Sequence, residues 1–181
     1  SIDFFSSSGS SQYMYVRSVF EYSGDRIIQQ NHYLNTNNTY ELRSFTSFLY
    51  DVAGNPVKQA LYTPDGVLSG YTIFTFSGNN VVQSEEYYKQ PDQTAPVLVM
   101  KRSYRHDNNK NPYRQVYHSI ENIPFSINQN NITTTTSVSY STYSPSTFGL
   151  NITTSTSYQY NIFGYPTRMN ENGNIFALEY K

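Results

Sequence analysis

Apolar and polar residues alternate along most of this chain, and a period of two confines it to β-strands. In QYMYVRSVFEY, Met14, Val16, Phe20 and Tyr22 fall on one face and Arg17 and Glu21 on the other. Beyond SGDR the pattern resumes in IIQQNHYL, with Ile28 and Leu34 opposed to Gln29 and Asn31. The two stretches read as an antiparallel hairpin with one half-buried face. Spacing of three and four residues never persists through 11 or more residues without Gly, Pro or a Ser/Thr run. Helices are therefore not expected.

The same unit recurs. FEYSGDRIIQQ, FLYDVAGNPVKQ, FTFSGNNVVQS and YQYNIFGYPTRM each close a strand with two aromatics one residue apart, turn at Gly24, Gly54, Gly78 or Gly164, and resume a strand. Glycine suits such places because it enters the left-handed region at no steric cost. SYRHDNNKNPYRQ is a degenerate copy with Asn in place of Gly, and Pro56, Pro112 and Pro166 stand just beyond their turns, before a ladder needs the missing N–H. In YDVAGNP, Asp51 is expected to cap the turn with its own side chain. TPDG at 63–66 is a further turn of type I character. Further strands are expected near 43–50, 57–63, 70–76, 81–88, 97–105, 113–118 and 175–180, most of them seven to nine residues long.

A second duplication, NITTTTSVSY at 131–140 and NITTSTSYQY at 151–160, reads as two strands of one hairpin with Thr–Thr cross-strand pairs; the alternative is a disordered Ser/Thr linker. Residues 1–12, SIDFFSSSGSSQ, read as a flexible lead-in to a single domain over 13–181. The predicted fold is all-β: one meandering antiparallel sheet of about 10–12 strands, curled into an open half-barrel or a loosely closed barrel.

Composition narrows the function. Charged residues make up 14% with a net charge of −1, which leaves no electrostatic footprint for nucleic acid or an anionic membrane. There is no cysteine, so disulfides, thiolate metal sites and a cysteine nucleophile are excluded. An outer-membrane barrel is disfavoured, because strands of seven to nine residues fall short of the roughly 9–11 that a bilayer requires.

YDVAGNPVKQ and FSGNNVVQ resemble the Tyr-Asp repeats of Rhs-type bacterial surface proteins, although only Asp51 supplies the Asp; Ser23, Ser77 and Asn161 stand at the equivalent positions. Over residues 13–180 the chain is similar to exported, often lipid-anchored Bacteroidota proteins of unknown function described as porin-like. TPDGVLSGYTIF resembles a single short variant of the membrane-occupation repeat. The resemblance implies export to the periplasm or outer-membrane surface, with a possible lipid anchor, and no catalytic signature.

Of the chemistry-bearing residues, His106, His118, Asp107 and Glu121 flank one expected turn and form a metal site only if all four converge; incidental surface polarity is the simpler reading. His32 stands apart. Glu85 and Glu86 are adjacent and point to opposite faces of a strand, so they are no carboxylate pair. No nucleophile elbow or phosphate-binding glycine loop occurs. No catalytic residue, metal or cofactor is therefore expected. With 19 Tyr and 11 Phe but no Trp, the functional hint is aromatic. Tyr15, Tyr33, Tyr62, Tyr87 and Tyr117 are candidates for a ladder on one sheet face that stacks on sugar rings or peptides; the plainer reading makes them cross-strand spacers. The expected function is a non-enzymatic binding or scaffolding module of the cell envelope, with a glycan or another envelope protein as partner; the alternative is an envelope carbohydrate-active enzyme.

Overall fold

A computed structural model describes residues 2–6, 14–37, 39–114, 126–140 and 148–179, with the backbone alone for 2–6, 14–16 and 148. Twelve strands follow one another: β1 (Ile2–Ser6), β2 (Met14–Ser23), β3 (Arg26–Thr36), β4 (Thr39–Tyr50), β5 (Pro56–Tyr62), β6 (Leu68–Ser77), β7 (Asn80–Tyr88), β8 (Val97–Lys110), β9 (Asn130–Tyr140), β10 (Phe148–Tyr160), β11 (Pro166–Glu171) and β12 (Asn174–Ala177). Their order in the sheet is their order in the chain, with β1 and β12 at its two ends, so the meander is open rather than closed. Two compact units divide it, residues 1–73 with 87–97 and residues 74–86 with 98–181; the division passes through β6, β7 and the first residue of β8 rather than through a linker.

Several expectations need correction. Ile2–Ser6, expected as part of a flexible lead-in, pair with Met14–Ser18 as β1. Seven of the twelve described strands are longer than the expected seven to nine residues, reaching 14 in β8 and 13 in β10, so the length argument against a barrel fails and the open strand order replaces it. The degenerate copy turns later than expected: β8, expected to end near 105, runs on to Lys110 with two register shifts, and the chain turns at Asn111, whose Oδ1 accepts the Tyr113 N–H at 2.9 Å. Asn side chains that bond neighbouring backbone absorb the irregularity which Gly would otherwise have turned into a hairpin. Tyr113 and Arg114 lie in that turn, and the rest of the strand expected at 113–118 falls outside the described residues. The Ser/Thr duplication forms the hairpin β9–β10, with Thr136 opposite Thr153 and their hydroxyls 3.3 Å apart.

The turns that share one grammar in sequence fall into two structural classes. Gly24 (φ 60°) and Gly78 (φ 57°) occupy the first place of two-residue loops, Gly24-Asp25 and Gly78-Asn79, the left-handed place of a II′ turn. Asn172 (φ 50°) and Gly173 (φ 92°) are both left-handed, the I′ form. A second class comprises the turns that begin at Asp51, Thr63 and Asn161. In each, the first residue's N–H reaches the carbonyl four residues on at 2.9 Å, and the glycine N–H returns to the first residue's carbonyl at 3.0 Å. The first side chain then accepts the fifth residue's N–H: Asn55 to Asp51 at 2.8 Å, Val67 to Thr63 at 3.1 Å and Tyr165 to Asn161 at 3.0 Å. This is a type I turn closed by a left-handed glycine bulge, and the ladder shifts register at the preceding Tyr50, Tyr62 and Tyr160. The TPDG turn thus belongs with the YDVAGNP turn.

Burial does not follow the alternation. Among the described residues of the unit formed by 1–73 and 87–97 the buried apolar residues are Phe48 and Ala60, and Ser18, Gln30 and Asn31 are buried as well. Gln30 Nε2 donates to Ser18 Oγ at 3.1 Å and Asn31 Nδ2 to Glu21 Oε1 at 2.8 Å, so these polar groups keep their partners. The other unit centres on Phe74, Val81, Tyr104 and Ile132, with Ser84 bonded to the Tyr104 hydroxyl at 2.8 Å.

Candidate functional site

In the first unit, β4, β5, β6 and Tyr87 build an aromatic face. Period two sets Lys58, Ala60 and Tyr62 on one side of β5, and register carries that side to neighbouring strands, because residues directly opposite share a face. Phe45 pairs with Tyr62, Ala60 with Tyr71, and Lys58 with both Leu49 and Ile73. The Phe45 and Tyr62 rings stack at 4.9 Å between centroids and 10° between planes; Tyr71 and Tyr87 stack at 4.6 Å and 18°. Lys58 Nζ lies 4.2 Å from the Tyr71 ring centroid, near enough for a cation–π attraction. Ala60, 4% exposed, is the small residue over which the larger neighbours close, while Leu49 beside Lys58 is 60% exposed. Gly70 holds the close approach of β6 to Tyr87: a Cβ there would stand 2.5 Å from the Tyr87 carbonyl oxygen.

Of the five tyrosines singled out in the sequence, Tyr62 and Tyr87 lie on this face. Tyr33 stands on β3 opposite Arg17, two residues beyond Asn31, which pairs with Phe45. Tyr15 is opposite Phe5 on β2, and Tyr117 lies outside the described residues. Phe45, Tyr71 and Lys58 were not singled out. Counting register outward from the YDVAGNP and TPDG turns, with one residue allowed for each bulge, would have found them.

The second unit holds the densest polar cluster. Asp107 Oδ1 accepts the N–H groups of Asn109 at 2.9 Å and Asn131 at 3.2 Å, and the Tyr160 hydroxyl donates to Asp107 Oδ2. Asn131 Nδ2 donates to the Lys110 carbonyl at 3.1 Å. Next to it, Asn128 Oδ1 accepts the Val81 N–H at 2.7 Å, which orients its amide so that Nδ2 donates to His106 Nε2 at 3.0 Å. Asn80 and Asn130 clamp each other, side chain to side chain at 2.9 Å and Asn130 N–H to Asn80 Oδ1 at 3.0 Å.

Electrostatics make this cluster a fastener. Burial, then the hydrogen bond and charge of Asp107, push the Tyr160 phenol well above its usual range, and burial followed by the Asp107 charge does the same to Tyr158. Both rings stay protonated and act as donors; Tyr158 Oη reaches the Ile132 carbonyl at 3.0 Å. Burial pulls the His106 imidazole below its ordinary value. His106 and Asp107 thus sit on β8 in a bonded network, where the sequence suggested a surface turn; His118 and Glu121 lie outside the described residues. No group of three metal-ligating side chains gathers among the described residues. Glu85 and Glu86 pair separately with Lys101 at 3.3 Å and Arg102 at 3.2 Å.

The chain matches no known protein-family description and no curated protein. Among solved structures it is similar to a protein of unknown function from Bacteroides fragilis, 9% identical over 76% of this chain and 90% of that one, with a TM-score of 0.55. A DUF3836 family protein from Bacteroides vulgatus aligns over 46% of this chain and 90% of its own at 9% identity and a TM-score of 0.40, and a porin-like protein from Bacteroides uniformis over 96% and 91% at 10% and 0.30. Those two overlap too loosely to bear on the argument. The meander is thus similar in fold to that of an uncharacterised Bacteroides protein, a likeness that brings no activity with it.

Proposed function

We propose that this protein is a non-enzymatic binding or scaffolding module of the bacterial cell envelope, and that the aromatic face of β4–β7 is its contact surface. The observation that carries the reading is the alignment of two stacked ring pairs, Phe45–Tyr62 and Tyr71–Tyr87, on one face with Lys58. Half-exposed rings in register offer flat apolar platforms with hydroxyl rims, the surface on which sugar rings stack. The polar cluster supports a binding role over a catalytic one, since Asp107 has its acceptors occupied from within and its tyrosines are held protonated. Export is supported by the resemblance of the turn units to bacterial surface proteins.

A glycan array followed by titration tests the contact surface. Tyr62→Ala and Tyr87→Ala are expected to weaken binding several-fold. Turnover of a glycan or ester panel by the purified protein would overturn the non-enzymatic reading. Fractionation of cells that express the gene with its upstream coding segment tests the address, and recovery in the cytosol would refute export.

A further inference from the structure

The turn between β10 and β11 carries Ile162 and Phe163 at its tip, 93% and 71% exposed. Nothing in the backbone asks for them. The same hydrogen-bond pattern closes the Thr63–Val67 turn, whose two tip residues are Pro64 and Asp65, so this geometry accepts rigid or charged residues at those places. Below the tip, Lys110 Nζ lies 5.2 Å from the Tyr165 ring centroid, and Gly164 rests near the Asn109 side chain. Lys110 and Arg168, two residues beyond Pro166, have no carboxylate partner among the described residues. The carboxylate at the base, Asp107, is taken up by Tyr160 and the Asn109 and Asn131 amides.

The balanced charge of the chain predicts no footprint for an anionic membrane, but locally an apolar tip, a tyrosine beneath it and a lysine over that ring, without a carboxylate partner among the described residues, repeat the layering of a bilayer interface from acyl boundary to headgroups. We propose that the Ile162–Phe163 turn is a lipid anchor that inserts into an anionic membrane surface. Size decides between a membrane and a protein partner. A specific protein interface needs about 800 Å² of complementary surface on each side, which a convex two-residue tip does not offer, whereas a bilayer requires no matching shape. Burial of a side chain of this size shifts a partition equilibrium by roughly tenfold or more, and each cation near an anionic leaflet adds about fivefold. The anchor is therefore weak and reversible on its own. The inference is independent of the aromatic face.

The test is co-sedimentation of the full chain with phosphatidylcholine vesicles, alone and mixed with phosphatidylglycerol. The protein is expected to bind the mixed vesicles and to bind the neutral ones more weakly. Ile162→Ser with Phe163→Ser is expected to lower the partition at least tenfold with an unchanged circular dichroism spectrum, and Lys110→Gln to lower it several-fold on mixed vesicles only. Because the chain has no tryptophan, Phe163→Trp supplies a single reporter whose emission shifts to the blue on vesicle addition. Equal binding by the double Ser variant, failure of the parent to bind mixed vesicles, or an unshifted indole emission overturns the proposal.

Discussion

Asp51 shows how one side chain sets a turn. Its Oδ1 accepts the Asn55 N–H at 2.8 Å and its Oδ2 the Asn55 side-chain amide at 2.9 Å, and these bonds, the amide first, hold its carboxyl below the usual carboxylate range. Depression of that kind favours the folded state above the ordinary carboxylate pKa and is lost as pH falls below it. Asp51→Ala should lower the melting temperature by a few degrees while Asp51→Asn retains most of it, with vesicle and glycan binding intact; an unchanged melting temperature in the Ala variant would dismiss the cap. His106 works with the opposite charge and the same sign. The Val81 N–H fixes the Asn128 amide, so Asn128 Nδ2 requires an unprotonated His106 Nε2 as acceptor. Because burial lowers the folded imidazole pKa, stability is full above the ordinary histidine value of about 6.5 and declines as pH drops below it, while the unfolded chain takes up the proton first. Denaturant midpoints measured from about pH 7 to pH 5 should fall, and His106→Gln should flatten that slope. The charge of Asp107, the next residue on the strand, acts against burial and only partly offsets it.

At the scale of elements, Gly70 on β6 governs the site from the reverse side of its strand. A methyl there meets the Tyr87 carbonyl oxygen at 2.5 Å, a distance that backbone must yield to. Gly70→Ala should therefore pry β6 from Tyr87, weaken the Tyr71–Tyr87 stack and cost about 1–3 kcal/mol, the usual range for overpacking; equilibrium unfolding reads the loss, and a neutral result would mean that β7 moves freely. The turns teach a related lesson. Their positions were legible in the sequence because a left-handed residue almost demands Gly or Asn. Their division into two classes was not, since an early and a late glycine look alike until the hydrogen bonds are counted from Asp51, Thr63 and Asn161. That difference of one bulge residue decides which side of β5 faces which side of β4, and so whether Phe45 or Thr46 meets Tyr62.

Across the whole molecule, an open meander leaves two edges. β12 is short, and its Ile175 and Phe176 are 55% and 46% exposed, an arrangement that invites pairing with another strand. Ile175→Lys should reduce concentration-dependent light scattering without a change in melting temperature, and an unaltered scattering curve would place any self-association elsewhere. The all-β meander and the places of its glycine turns were determined by the sequence alone, because periodicity and φ preference are local, whereas β1 and the far end of β8 were not. Burial and partnership were decided only by the tertiary structure. Ser18, Gln30 and Asn31 are buried while Leu49 stands open, and Tyr62 and Tyr87 share a face with Phe45, Tyr71 and Lys58. The physical reason is that which face of a strand is covered, and which ring meets which, depends on register summed through several bulged hairpins, a nonlocal quantity that no single stretch of residues contains.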